Sequence, residues 1–445
     1  METRRLLAAL ALVACALSCS LHLEQRSTPA LLRRGYNTAF YSRHSTPYRA
    51  QAAIHVAHGY EHDALQLGDA AQHEREDRET DAYYLRWYHD PPRIGPHMMT
   101  FGPHTGQGIF ALYRTIDWTH EHHDQTYDIL ADDDVAWSDK AARTRDAVEW
   151  YLSHLRGGAM SPAPLDVTLR RAGVMMKPYA TLFRNRYPRS ATFFFFAHWW
   201  HPAIYEAMML AGNDREQESA VNAAHGLSER VLRERPQRML LSREMMPRYA
   251  RMSPESANIF DNLHMLHGIA YDVMAYEGWS IDEKRAELYR VIAAMSEHPG
   301  DRALARRFPE PHPAVDTRCY ETWMQGMDGE MSRIMREMLE EMWPMMSPTG
   351  ERELPTAVAE QLRLKMTPGM QPGEHPGSLH DALMRVVPDM RMNRDAMRPG
   401  AGDPHMMQRM LDGWRQRTAG LAPVAEISMS AEPPLAPARC EGGAP

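Results

Sequence analysis

The chain has 445 residues, of which 44% are hydrophobic and 24% charged, a balance typical of a globular protein rather than a disordered one. Its 50 basic and 58 acidic residues give a net charge of -8, which argues against nucleic-acid binding through a basic face. With 33 Met and 23 His, the chain is rich in residue types that supply soft or borderline metal ligands.

Residues 1–19 have the pattern of a targeting signal, in which two arginines precede a short apolar run. The run that ends at Cys15 resembles a bacterial lipobox, so we expect lipidation at Cys15, with Cys19 as a second candidate. The alternative is an ordinary cleaved signal peptide. A lipid anchor would hold the protein on a membrane without a spanning helix. The sequence therefore predicts an extracytoplasmic location, in the periplasm or cell envelope of a bacterium.

The next segments differ in their helix signals. Residues 20–46 carry no clear period and are interpreted as a tether. Residues 47–300 contain repeated helix starts and almost no strand-like alternation, so the expected fold class is all-α. The clearest start is Ser253, followed by Pro254 and an acid, and a second start is Ser280.

One pattern, His-x-x-His-x-x-x-(Tyr or His)-(Asp or Glu), occurs four times in this helical region. A shuffled chain of this composition would contain roughly 0.15 matches to the His-x-x-His-x4-acid core. The copies are His55, His58, His62 and Asp63; His120, His123, Tyr127 and Asp128; His198, His201, Tyr205 and Glu206; and His264, His267, Tyr271 and Asp272. The residues that flank the motif are also similar from one copy to another. This longer repeat predicts four tandem αα-hairpins that form a helical bundle or an α/α array.

On a helix, both histidines and the following Tyr fall within about 60° of one another, with the acid at the edge of that face. Four such helices would direct imidazoles and carboxylates toward one axis, where a transition metal is a suitable partner. The predicted ligands are His55, His58, Asp63, His120, His123, Asp128, His198, His201, Glu206, His264, His267 and Asp272. Two departures stand out: Pro202 should interrupt or bend the third copy, and His62 replaces Tyr in the first.

After residue 300 the composition changes. In residues 301–346, methionines recur at spacings of three and four from Met324 to Met345, which predicts an amphipathic helix. Its Met face would bind Cu(I), receive a protein partner, or pack on the core. Residues 347–445 are rich in Pro, Gly and Met and are expected to form a largely flexible tail.

These features lead to three functional hypotheses. The first is a metal-dependent oxidoreductase containing non-haem di-iron or copper, in which Tyr127, Tyr205 and Tyr271 relay electrons or protons. The second, which the Met excess favours, is a non-enzymatic lipoprotein that handles copper or iron. The third is a metal-free helical scaffold in which the histidines bond only to neighbouring side chains. The expected cofactor is iron or copper.

Overall fold

A computed structural model describes residues 38–66, 108–155, 157–172, 187–209, 214–234, 242–275 and 280–305, with Phe183 and scattered residues between 75 and 91. These residues form helices and contain no strand, so the described part of the chain is all-α, as predicted. The helices are α1 (Thr38–Arg43), α2 (Ser45–Gln66), α3 (Phe110–Ala131), α4 (Trp137–His154), α5 (Leu165–Ala172), α6 (Pro188–Met209), α7 (Asp214–Gly226), α8 (Ser228–Glu234), α9 (Ser242–Met245), α10 (Pro247–Met252), α11 (Pro254–Ala275), α12 (Ile281–Met295) and α13 (Asp301–Ala305).

The four repeats lie on α2, α3, α6 and α11, each of which is 22 residues long. Helix α6 is buried at every position from Ser190 to Met209, and α11 is buried at nearly every position. By contrast, α4 and α12 bury one face each, as expected of helices at the surface of a bundle. Helices α6 and α11 each pack against both α2 and α3, so the four repeat helices enclose a common interior.

Two helix starts lie where the sequence predicts, although the Ser253 hydroxyl is buried without a hydrogen bond and so does not cap α11. Helix α11 begins at Pro254, a residue whose missing N–H has no bonding partner in a first turn anyway. Helix α12 has a capping box: the Ser280 hydroxyl accepts from the Glu283 amide, and the Glu283 carboxylate accepts from the Ser280 amide.

Each of the last three repeat helices packs against the next long helix along the chain: α3 with α4, α6 with α7, and α11 with α12. A lysine of the second helix caps two of these pairs. Lys140 donates to the carbonyl groups of Ile129, Leu130 and Asp132 at the end of α3, and Lys284 donates to Met274 near the end of α11. The four-hairpin arrangement as a whole remains a prediction, because most of the segment after α2 lies outside the described residues.

One helix differs from its predicted form. Helix α6 runs from Pro188 to Met209 with Pro202 inside it, so of the two expected outcomes the interruption at Pro202 is wrong. The helix stays continuous because packing on all sides stabilises the helical conformation more than the missing N–H of Pro202 destabilises it. The Tyr127 hydroxyl also donates to the carbonyl of His201, the residue before the proline.

The helical region begins earlier than expected, because α1 lies inside the segment interpreted as a tether. Its Phe40 is fully buried and stacks on Tyr127, with ring centroids 4.6 Å apart. The predicted signal sequence with Cys15 and Cys19, the predicted Met-rich helix and the predicted flexible tail all lie outside the described residues. Within those residues, no helix combines the length and apolar character needed to cross a membrane.

Candidate metal centre

The eight histidines of the His-x-x-His motifs converge in the interior between α2, α3, α6 and α11. Seven of them are at most 5% exposed, and His55 is partly buried. Their rings form one continuous network, and the rings divide into two clusters. We call these clusters site A and site B.

Site A comprises His58, His120, His198 and His267. Ligand atoms of His58, His120 and His267 all lie within 4.8 Å of one another. The ring of His198 lies 5.5 Å from that of His58 and 5.7 Å from that of His267, measured between centroids.

Site B comprises His55, His123, His201 and His264. Ligand atoms of His123, His201 and His264 also lie within 4.8 Å of one another. The ring of His55 completes the cluster at 5.6 Å from His201. Each site therefore takes one histidine from every repeat, and the two histidines of a given repeat go to different sites.

The ring separations suit a metal ion. Imidazoles bound to one tetrahedral ion with metal–nitrogen bonds of about 2.1 Å have ring centroids roughly 5 Å apart. Observed separations run from 5.2 to 6.1 Å in site A and from 5.0 to 5.9 Å in site B. Closer pairs connect the sites: His55 and His120 stack at 4.4 Å, and His198 meets His264 at 4.3 Å.

The two halves of the domain repeat this geometry. Repeats one and two correspond to repeats three and four, so the 5.2 Å separation of His58 and His267 corresponds to 5.0 Å between His201 and His123. The correspondence extends to Phe183, which stacks on Tyr271 at 4.4 Å as Phe40 stacks on Tyr127. Both phenylalanines lie fifteen residues before the first histidine of their repeat. An internal two-fold pattern therefore relates site A to site B.

Many of the clustered nitrogens have no protein partner. Nε2 of five motif histidines is buried without a hydrogen bond: His55, His58, His123, His201 and His267. Each unpaired buried polar atom costs about 1–3 kcal/mol. Five of them would offset a large share of the roughly 5–15 kcal/mol that stabilises a typical domain. A ligand that accepts electron pairs from Nε2 removes this penalty.

The imidazoles are held in the neutral form that binds metals. Burial, reinforced by neighbouring imidazoles, holds the pKa of six of them well below the usual 6.5. Burial also lowers the pKa of His198 to about 3, although its Nδ1 hydrogen-bonds to the Phe194 carbonyl oxygen. That bond leaves Nε2 as the ring nitrogen of His198 available to a metal, an arrangement common for histidines that ligate metals.

The structure places three of the predicted carboxylate ligands on other partners. Asp128 accepts from the Phe40 amide at 2.9 Å, and Asp272 accepts from the Phe183 amide at 3.0 Å. Glu206 forms a buried ion pair with Arg248, with 2.6 Å between the charged atoms. Asp63 is buried, and like these three it belongs to neither group of close ligand atoms. The histidines of the motif are thus brought together without its acids.

The repeat tyrosines lie beside the second histidines. Tyr127 and Tyr205 stack on each other at 4.1 Å, and the Tyr205 hydroxyl lies 3.2 Å from Nδ1 of His123 in site B. Tyr271 stacks at 4.7 Å on His62, which takes the corresponding place beside site A. The Tyr271 hydroxyl donates to Glu61, whose pKa burial raises well above its usual value.

Sequence reasoning missed His62 and Glu61 as parts of this environment. The sequence shows His62 as the single departure from Tyr in the repeat, but the predicted ligand set does not include it. Glu61 gave no signal, because the repeat has no acid at that position and its equivalent in the third copy is Ile204.

The chain matches no protein-family model, no curated protein and no solved structure at a level that indicates relationship.

Proposed function

We propose that the helical domain binds two transition-metal ions, one in site A and one in site B, and that copper is the metal. The observation that carries the proposal is the convergence of eight neutral imidazoles, seven of them buried and five of them with an unpartnered Nε2. Binding both ions would satisfy these nitrogens together and stabilise the fold.

The donor set favours copper over the iron alternative. Imidazole nitrogen suits copper, zinc, iron and nickel, whereas non-haem di-iron bundles rely on carboxylates. Here the carboxylates of Asp128, Asp272 and Glu206 are engaged with backbone amides or with Arg248. The 33 methionines of the chain supply further soft ligands of the kind that copper-handling proteins use.

A copper-holding role, as opposed to catalysis on a bulky substrate, follows from the burial of the centre. A catalytic metal site keeps an open position and a substrate pocket. Here seven of the eight rings are at most 5% exposed, so only a small molecule or an electron could reach the ions. A redox enzyme acting on dioxygen is the second candidate, favoured by the contact between Tyr205 and His123 beside site B.

Metal analysis of the full-length protein tests the proposal. We expect about two copper ions per chain after expression with varied metal supply. The double variant His58→Ala/His267→Ala removes two ligands of site A, and His123→Ala/His201→Ala removes two ligands of site B. Each double variant should retain about one ion per chain.

The matched control is His122→Gln on α3, because His122 is buried but its Nε2 bonds to the Ser256 hydroxyl. This variant should keep both ions. Less than about 0.2 metal per chain under every supply would overturn the proposal. Two zinc ions in place of copper would preserve the paired sites but overturn the copper assignment. Oxygen consumption in the presence of a reductant would favour the enzyme over the carrier.

A further inference from the structure

His62 is a ninth histidine packed against site A. Its ring lies 5.2 Å from that of His267, the same separation that joins His58 to His267 within the site. It lies one helical turn after His58 on α2, so both rings approach His267 from the same helix. Its flat face stacks on Tyr271, which leaves the nitrogen-bearing edge of the ring uncovered by that contact.

The side chain at the equivalent position beside site B has its partners. There the ring centroids of Tyr205 and His123 lie 5.6 Å apart, and the Tyr205 hydroxyl donates to the His123 carbonyl at 2.8 Å. His62 has no such bond: both of its ring nitrogens are buried without a partner. Two unpaired nitrogens at a fully buried position cost about 1–3 kcal/mol each, so the replacement of Tyr by His requires a compensating ligand.

We infer that His62 is a fifth imidazole ligand of site A, so that the two sites are unequal: five nitrogen donors at site A and four at site B. The inference rests on the proposed two-metal centre and concerns what distinguishes its halves. It uses two observations that the proposal does not need: the two unpartnered nitrogens of His62 and its distance from His267.

Unequal donor sets give the two ions different properties. Four imidazoles in a closed cluster suit the tetrahedral coordination typical of Zn²⁺ and Cu(I). A fifth nitrogen favours the higher coordination that Cu(II) and Ni²⁺ accept. Site A should therefore hold a divalent ion more tightly than site B does.

Cobalt(II) is the probe, because four-coordinate cobalt absorbs visible light much more strongly than five-coordinate cobalt. We expect the full-length protein to bind two Co²⁺ ions, one of each spectral type. In His62→Tyr, which copies the residue found beside site B, both ions should give the intense four-coordinate bands. The affinity of site A should fall by about tenfold or more, as measured by competition with a chelator.

Two further variants protect the test against misfolding. His62→Phe keeps an aromatic ring at the position that stacks on Tyr271 but removes both nitrogens, and it should behave as His62→Tyr does. The mirror variant Tyr205→His should convert the site B ion to the weakly absorbing form and tighten its binding. Far-ultraviolet circular dichroism would check that each variant is folded.

The outcomes separate the inference from the proposed function. If the protein binds two Co²⁺ ions, and neither spectrum nor affinity changes in His62→Tyr and His62→Phe, the fifth ligand is wrong while the two-metal centre stands. If neither the parent protein nor any variant binds Co²⁺ or copper, the proposed two-metal centre is wrong, and the inference about His62 is wrong as well.

Discussion

Glu206, an acidic residue of the repeat, has the chemistry of a metal ligand but forms a structural ion pair. Glu206 is fully buried, and its carboxylate accepts both from the Arg248 amide and from the Arg248 guanidinium. Burial raises the pKa of Glu206, and the positive charge of Arg248 opposes that rise. The pair ties α6 to α10, and each charge depends on the other.

Replacing Glu206 tests whether it is a ligand or an ion-pair partner. Glu206→Gln should lower the free energy of unfolding by about 3–5 kcal/mol, because it leaves Arg248 buried without its counter-charge. The metal content of the folded variant should be unchanged. The control is Glu149→Gln, which removes an exposed partner of Arg302 and should change stability by about 1 kcal/mol or less. Loss of metal without loss of stability would instead indicate that Glu206 is a metal ligand.

At the scale of helices, two of the four histidine-bearing helices, α3 and α11, are capped by a lysine of the next long helix. Lys140 is 2% exposed and donates to three carbonyl groups at the end of α3, which have no amide partner within the helix. Its positive charge also interacts favourably with the negative, C-terminal end of the helix dipole. Lys284 makes one such bond for α11 from a part-buried position. In these two pairs, the second helix thus contributes to fixing where the histidine helix ends.

Removal of the two lysines should have unequal effects. Lys140→Met keeps the aliphatic stem but removes three hydrogen bonds from a buried ammonium group, and the Leu130 and Asp132 carbonyl groups keep their second donors, Gln217 and the Val135 amide. We expect this variant to lower the free energy of unfolding by about 2–3 kcal/mol. Lys284→Met should cost about 1 kcal/mol, since among the described residues it removes a single bond to the end of α11. Urea denaturation measures both. Equal losses in the two variants would contradict the capping role assigned to Lys140.

At the scale of the whole molecule, the domain buries many neutral imidazoles in a single interior. Burial lowers the pKa of each of them in the folded state, to about 3 for His62, His122 and His198, against 6.5 for an ordinary histidine. As the pH falls below 6.5, the unfolded chain binds protons before the folded chain does. Acid therefore favours unfolding over the interval from about 6.5 down to about 3.

The metal-free protein should consequently lose stability steeply below pH 6.5. Each such histidine contributes up to about 1.4 kcal/mol per pH unit, so several together should unfold the domain well above pH 3. Urea denaturation from pH 7.5 to pH 4.5 measures the slope. His122→Phe should reduce that slope by about one proton. A stability that does not change with pH would show that these imidazoles are not buried in the neutral form.

Much of the fold could be read from local patterns. Pro254 and Ser280 mark helix starts because they act through the first turn alone. The four-fold repeat identified the helices that carry the histidines, and the structure brings those histidines together. An interruption at Pro202, one of the two outcomes that a local rule predicts, is wrong because packing on every side keeps the helix continuous.

The assignment of ligands to sites was decided by tertiary structure. Along one helix, the two histidines of a motif are about 4.5 Å apart in height and are rotated by about 60°, so each meets different neighbours from the other three helices. The acid of the motif lies about 12 Å along the helix axis from the first histidine, so the two side chains meet different neighbours. Asp128 and Asp272 reach backbone amides outside their own helices instead.

The sequence by itself thus determined the all-α class, the repeat and the eight histidines, since each depends on residue type and spacing along one helix. Only the tertiary structure decided that every repeat gives one histidine to each site, and that His62 stands beside His267. These facts depend on how four separate helices pack around each other, and no spacing within a single helix encodes that packing.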